Sequence, residues 1–62
     1  MTIDPRILAT ILTPRQHHIL TLRLAGHSWR TIARALHINE ATARGHHKAA
    51  LDRIDQARKD AA

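Results

Sequence analysis

Residues 28–48, SWRTIARALHINEATARGHHK, decide the fold of this 62-residue chain. Ser28 is a residue type that favours the N-cap position, and the helix that it begins is expected over residues 29–36. Apolar side chains recur in this helix at helical spacing, and we expect them to face inward: Ile32, Ala33 and Leu36. The stretch therefore opens with a short amphipathic helix.

The three residues that follow, 37–39, leave room only for a tight turn. Asn39 is again a typical N-cap, and Glu40 suits the positive N-terminal end of the next helix. No proline interrupts the chain after Asn39, so this last helix is expected over about residues 40–58. Two helices joined by so short a turn are typical of a helix-turn-helix.

A short first helix is predicted at the start of the chain. Asp4 can act as an N-cap, and Pro5 stands at the first helical position, where its missing N–H costs nothing. The helix is expected over about residues 5–12. Its apolar side chains recur every three or four residues and form one stripe: Ile7, Leu8, Ile11 and Leu12.

A second helix follows directly, over about residues 14–25. Thr13 can cap it, Pro14 begins it, and Gln16 stands where a capping box places Glu or Gln. Gly26 provides a C-terminal stop. The apolar side of this helix is expected to consist of four residues: Ile19, Leu20, Leu22 and Leu24.

These elements predict an all-α fold in one domain, residues 1–62, with four helices and no strands. A short N-terminal helix and a support helix precede a scaffold helix and a long C-terminal helix. The chain ends in Asp60-Ala61-Ala62 without a stop signal. This end is either a frayed terminus or a cut, in which case the domain is the N-terminal part of a longer regulator.

The positive charge is concentrated in the middle of the chain. Residues 13–48 hold six basic residues and one acidic residue, which accounts for the whole net charge of +5. All six histidines lie in the same stretch. Concentrated basic charge attracts a polyanion such as nucleic acid. Surface charge that only serves solubility is the alternative.

From Leu12 to Ile54 the chain resembles the LuxR-type helix-turn-helix and the related promoter-reading region of bacterial sigma factors. The matching string is LTPRQHHILTLRLAGHSWRTIARALHINEATARGHHKAAL, and the pattern AL..I continues the match to Ile54. The chain departs from the family at two positions. His37 stands where the turn usually has glycine, and the last helix carries Gly45 in its interior. The resemblance implies sequence-specific binding of double-stranded DNA, with the last helix as recognition helix in the major groove.

As a biological role, the resemblance implies a transcription regulator. We expect a repressor, because the domain is a compact reader, and a phage is one source for such a protein. The other interpretation is a sigma-like protein-interaction module that binds a partner in the transcription machinery. The first helix and the C-terminal helix are each candidates for such an interface, for homodimerisation or for contact with a second DNA-binding domain. Salt dependence separates DNA binding from an apolar protein interface.

Helical geometry and the resemblance select the same surface for base contact. The apolar positions of the last helix, Ala43, Ala50 and Ile54, are expected to face the scaffold helix. At 100° per residue, another arc of the last helix lies opposite them. In the resembling families, the matching positions approach bases or nearby phosphates: Glu40, Ala41, Arg44, Gly45 and Lys48. Arg44 is the leading candidate for base reading, since a guanidinium can donate two hydrogen bonds to guanine. Lys48 is expected to meet phosphate.

Phosphate contacts are expected around the start of the scaffold helix, where backbone N–H groups and the helix dipole suit an anion. The candidates are Ser28, Trp29, Arg30 and Thr31, with Arg15 and Arg34 on the flanks. Several roles stay open. Trp29 packs either against the DNA backbone or into the core, and Arg23 extends either to a rim or to a phosphate.

Two positions of the recognition helix are equally open. Glu40 either accepts a hydrogen bond from cytosine or only stabilises the helix start. Gly45 either admits the groove wall or is only a local weakness of the helix.

Other function classes have little support. There is no cysteine, and the adjacent histidine pairs 17–18 and 46–47 point to different faces of a helix, so no metal site or cofactor is expected. No acid pair, thiol nucleophile or phosphate loop suggests an enzyme. No stretch approaches the length of a membrane span, so we expect a cytoplasmic, DNA-associated protein.

Overall fold

The computed structural model describes residues 5–61, and these form four α-helices with no strand. The helices are α1 Pro5–Ile11, α2 Pro14–Leu24, α3 Trp29–Leu36 and α4 Glu40–Ala61. The predicted all-α, four-helix class is confirmed. Asp4, the predicted cap of the first helix, lies outside the described residues.

Three helices end at residues other than those predicted. α1 stops at Ile11 because Thr13, which precedes a proline, is extended with φ −66° and ψ 158°. α2 stops at Leu24, before a turn centred on Gly26. α4 continues past Arg58 to Ala61, and neither proline nor glycine interrupts its second half.

The start of α2 is held by the predicted capping box. The N–H of Gln16 donates to Oγ1 of Thr13 over 3.2 Å, and the N–H of Thr13 donates to Oε1 of Gln16 over 3.0 Å. Gln16 is buried, with 9% of its surface exposed. Because both polar partners are satisfied, α2 begins at a defined residue and can serve as a support for the two helices that follow.

Two apolar clusters form the core, and α4 contributes to both. The inner cluster lies beneath the helix-turn-helix and contains Ile19, Ile32 and Ala43, each with none of its surface exposed. Partly buried side chains pack around it: Leu22, Trp29, Leu36 and Ile38. This cluster joins α2, α3 and the beginning of α4.

The outer cluster joins α1 and α2 to the middle of α4. It contains Leu12, Leu20 and Ala50, with Leu8, Ile11 and Ile54 packed against it. The spacing predicts that the apolar positions of the last helix all face the scaffold helix, and for Ala50 and Ile54 this expectation is wrong. Helix α4 is 22 residues long and extends beyond the eight-residue α3, so Ala50 and Ile54 pack against α1 and α2 instead.

Three large apolar side chains are exposed: Leu24 at 76%, Ile7 at 51% and Leu51 at 46%. The spacing predicts that Leu24 and Ile7 lie on the apolar sides of their helices. Leu24 is the last residue of α2, where the chain turns away before the core can cover it. Ile7 lies on the short α1, which packs against the outer cluster through Leu8 and Ile11. None of the described helices has the length and hydropathy that crossing a membrane would require.

Candidate nucleic-acid interface

The corner between α3 and α4 is fixed by a cap at the start of each helix. Oγ of Ser28 accepts a hydrogen bond from the N–H of Thr31 over 3.1 Å. Oδ1 of Asn39 accepts one from the N–H of Thr42 over 2.7 Å. Each cap satisfies an N–H that the helix itself leaves unpaired, so the first residue of each helix is defined.

The turn between the two helices requires a left-handed residue, and His37 supplies it with φ 56° and ψ 42°. The N–H of His37 donates to the carbonyl oxygen of Arg34 over 3.4 Å, and that of Ile38 donates to Ala33 over 3.0 Å. This pair of bonds is the Schellman motif. Histidine adopts this conformation less readily than the glycine that the resemblance would place here.

The same motif ends α2, but there a glycine occupies the left-handed position. Gly26 has φ 94°, and its N–H donates to the carbonyl oxygen of Arg23 over 3.0 Å. The N–H of His27 completes the motif by donating to Leu22 over 3.1 Å. The turn between α2 and α3 is therefore fixed by the same pair of hydrogen bonds as the turn between α3 and α4.

One arc of α4 is exposed at the corner, and it consists of the residues predicted to contact bases. The structure leaves all five exposed: Glu40, Ala41, Arg44, Gly45 and Lys48. On the opposite side of the helix, Ala43 and Ala50 are fully buried. The helix is thus backed by the core while this arc faces outward. Contact of these residues with bases stays a prediction.

The predicted phosphate-contacting residues are exposed too, with one exception. Arg15, Arg30, Arg34, Ser28 and Thr31 are exposed, whereas Trp29 is half-buried. At the start of α3 the N–H of Thr31 is taken by Ser28, and the N–H of Ile32 donates to the carbonyl oxygen of Ser28 over 3.0 Å. The N–H groups of Trp29 and Arg30 precede the first helical bond, so they are available to an outside acceptor.

The basic side chains near the corner have few acidic neighbours. Lys48 forms an exposed ion pair with Asp52, with Nζ and Oδ2 3.4 Å apart. Within residues 6–60, no ion pair to Arg15, Arg30, Arg34 or Arg44 is present. Their charge is therefore available to an external anion, apart from screening by salt.

Trp29 lies at the centre of a group that the sequence did not reveal. The guanidinium carbon of Arg23 is 4.6 Å from the centroid of the indole, and that of Arg44 is 6.0 Å away. The ring of His47 meets the indole edge-on, with centroids 5.0 Å apart and planes at 73°. The sequence leaves Arg23 open between a rim and a phosphate, and its guanidinium lies on the indole of Trp29. No pattern in the sequence predicts a contact between residues on three different helices.

Metal binding finds no geometric support in the described part of the chain, where no group of three His, Cys, Asp or Glu side chains is close enough to hold an ion. His46 and His47 are adjacent in α4 and both half-buried, and the ring of His47 packs against Trp29.

A capped scaffold helix, a left-handed turn and a second helix with an exposed basic arc define a helix-turn-helix DNA-binding domain. Residues 10–61 match the family described as bacterial regulatory proteins, luxR family (GerE). Because the match covers most of the chain, the protein belongs to this family of DNA-binding transcription regulators. Comparisons with curated proteins and with solved structures give no significant match.

Proposed function

We propose that this domain binds double-stranded DNA at specific sequences by inserting the first three turns of α4 into the major groove. The observation that carries the proposal is the two-sided character of this segment. Ala43 and Ala50 are fully buried, while Arg44 and Lys48 on the other side are exposed. The major groove is about 12 Å wide and admits one helix, and its floor distinguishes all four base pairs.

Within this arrangement Arg44 reads a base and Lys48 meets phosphate. A guanidinium matches the two acceptors of guanine, whereas an ammonium acts as a point charge. Glu40 stands in the first turn, where it favours the helix dipole and can accept a hydrogen bond from cytosine. Ala41 and Gly45 are small, so they let the helix sit close to the base edges.

The start of α3 holds the backbone of the same duplex. Ser28, Arg30 and Thr31 are exposed at this end of the helix, next to the N–H groups of Trp29 and Arg30, and the Trp29 side chain is half-buried. Arg15 and Arg34 add flanking charge. Such contacts set register and orientation without reading sequence, so they contribute affinity to every duplex.

In the cell, a domain bound in the major groove at a promoter excludes other proteins from that site. Repression requires no contact beyond the DNA itself, whereas activation also requires a surface that recruits polymerase. We therefore propose that the protein acts as a repressor. A promoter that carries the selected site should lose output when the protein is expressed, and it should regain output with the variant Arg44→Ala.

The dependence of DNA affinity on salt tests the proposal most directly. Selection from random duplexes supplies the preferred site, and titrations between 50 and 200 mM salt give the slope. With about six phosphate contacts, affinity should fall by about 10³-fold over this range. The variant Lys48→Ala should reduce the slope by about 1 and weaken binding to all sequences alike.

Lys59→Ala is a matched control on the same helix. Lys59 pairs with Asp55 over 3.1 Å and is 69% exposed, much as Lys48 pairs with Asp52 and is 81% exposed. Its removal should leave the slope unchanged. An affinity that does not vary with salt would contradict DNA binding and favour the protein-interaction module. Footprinting of the selected site adds the stoichiometry, since two half-sites about 10 base pairs apart indicate a dimer.

A further inference from the structure

The indole of Trp29 is held in a fixed orientation at the junction of three helices. Its buried part packs against the inner cluster of Ile19, Ile32 and Ala43. On the side of α4, His47 meets the ring edge-on at 5.0 Å. A ring fixed by packing on one side and by an aromatic contact on another cannot turn freely, so its faces are a stable platform.

Two arginines lie on this platform, one from each neighbouring helix. Arg23, on α2, is 4.6 Å from the centroid and also donates from Nη1 to the carbonyl oxygen of His27 over 2.9 Å. Arg44, on α4, is 6.0 Å away and forms no ion pair within residues 6–60. A cation within about 6 Å of an indole centroid is attracted by the negative face of the ring.

The two contacts differ in strength and so in consequence. Arg23 is close to the ring and tied by a hydrogen bond, so it stays where it is. Arg44 is at the outer limit of the attraction, so the ring restricts its rotamers without holding it. A guanidinium at this distance can exchange the indole for two hydrogen bonds to guanine at little cost, having already lost part of its freedom.

We infer that Trp29 is a positioning residue: its indole restricts the rotamers of Arg44 and so aims the guanidinium at the base that Arg44 reads. The inference rests on the proposed function and adds to it a determinant of specificity on α3. Trp29 itself acts through Arg44. Its loss should therefore reduce discrimination between bases, beyond any loss of overall affinity.

The test compares two duplexes, the selected site and the same site with the base pair read by Arg44 replaced. Trp29→Leu removes the ring and keeps an apolar side chain on the inner cluster. It should lower the affinity ratio between the two duplexes by about 2- to 5-fold. In the background of Arg44→Ala the same change should lower the ratio no further, because the residue that Trp29 positions is gone. Trp29→Phe keeps an aromatic face and should restore most of the ratio.

Thermal unfolding of each variant shows that the domain is folded at the temperature of the titrations. Lys48→Ala is the control, since it should weaken binding to both duplexes and leave the ratio as it is. A Trp29→Leu variant that weakens both duplexes equally would overturn the inference, because a purely structural residue or a phosphate contact behaves in that way. A further reduction in the Arg44→Ala background would overturn it too.

A measurement on the free protein separates this inference from the proposed function. Protons on the side chain of Arg44 that lie near an indole show ring-current shifts in NMR spectra, and Trp29→Leu should abolish them. If these shifts are present but the protein shows no salt-sensitive binding, the proposed function fails while the contact stands. If the free protein shows no such shifts, the positioning role is wrong whatever the DNA titrations give.

Discussion

The two halves of α4 carry similar numbers of basic residues but use them in opposite ways. Residues 40–50 contain Arg44 and Lys48 with Glu40 as the one carboxylate. Residues 51–61 contain three basic and three acidic residues, and Asp55 alone pairs with both Arg58 at 3.5 Å and Lys59 at 3.1 Å. The second half therefore neutralises its own charge.

Arg53, also in the second half, is bound by a carbonyl oxygen of the same chain. Its Nε donates to the carbonyl oxygen of Ile11 over 2.7 Å, at the C-terminal end of α1. The guanidinium thus satisfies a carbonyl that α1 leaves unpaired, and it attaches the second half of α4 to the rest of the domain. A count of basic residues would not distinguish the two halves. What distinguishes them is Arg44, which forms no ion pair within residues 6–60, whereas Lys48 of the first half already pairs with Asp52 of the second.

The halves also differ in what supports them. Residues 40–50 rest on both clusters, on the inner one through Ala43 and on the outer one through Ala50, whereas residues 51–61 reach the outer cluster through the half-buried Ile54. An alanine on a fully buried surface lets the backbone of α4 come close to α3, and small shifts there would move Arg44. The packing of the first half therefore determines the position of Arg44, on which base reading is proposed to depend.

The largest effect is expected from removing the support of the first half. Ile32 has none of its surface exposed, so Ile32→Ala should lower the free energy of unfolding by about 2–5 kcal/mol. For a domain of this size that is most of the stability available, about 3–5 kcal/mol. Chemical denaturation monitored by circular dichroism measures it.

Ile54→Ala is the corresponding change in the second half. Since Ile54 is half-buried, its truncation should cost only about 1–2 kcal/mol. The comparison fails if the two variants are equally destabilised, which would mean that both clusters support the helix to the same extent.

Base reading should depend on the first half alone. Arg44→Ala should cost about 1–3 kcal/mol of binding free energy on the selected site and relax the preference at one base pair. Arg58→Ala removes an arginine of the second half that is 64% exposed and paired with Asp55, and it should change neither quantity. Competition titrations with single-base variants of the site measure both. A loss that is uniform over all sequences would make Arg44 a phosphate contact.

The starts of the helices could be predicted from the sequence because caps are local. Thr13, Ser28 and Asn39 each accept a hydrogen bond from a residue three positions further on, as Gln16, Thr31 and Thr42 show. The ends depend on weaker preferences, and three of the four differ from the prediction. The exposed arc of α4 could also be predicted, since opposite faces of a helix follow from its period.

Contacts between helices could not be predicted in the same way. The apolar positions of α4 were assigned to one partner helix, but the length of the helix divides them between two clusters. Arg23, Trp29 and Arg44 lie on three helices, and their meeting depends on the angles at which those helices pack. Periodicity describes one helix at a time, so it carries no information on such angles.

The smallest effect separates the two interpretations of Gly45. A Cβ at this position would meet nothing within 4 Å, so the fold itself has room for a side chain. Gly45→Ala should therefore raise the free energy of unfolding by about 1 kcal/mol, the difference in helix propensity. On DNA we expect the opposite sign, a weaker complex, because the added methyl group would stand between α4 and the groove wall. Denaturation of the free variant and titration with the selected site measure the two changes. If stability rises and affinity does not fall, the glycine is only a weak point of the helix, and the approach of DNA to this part of the first half is less close than proposed.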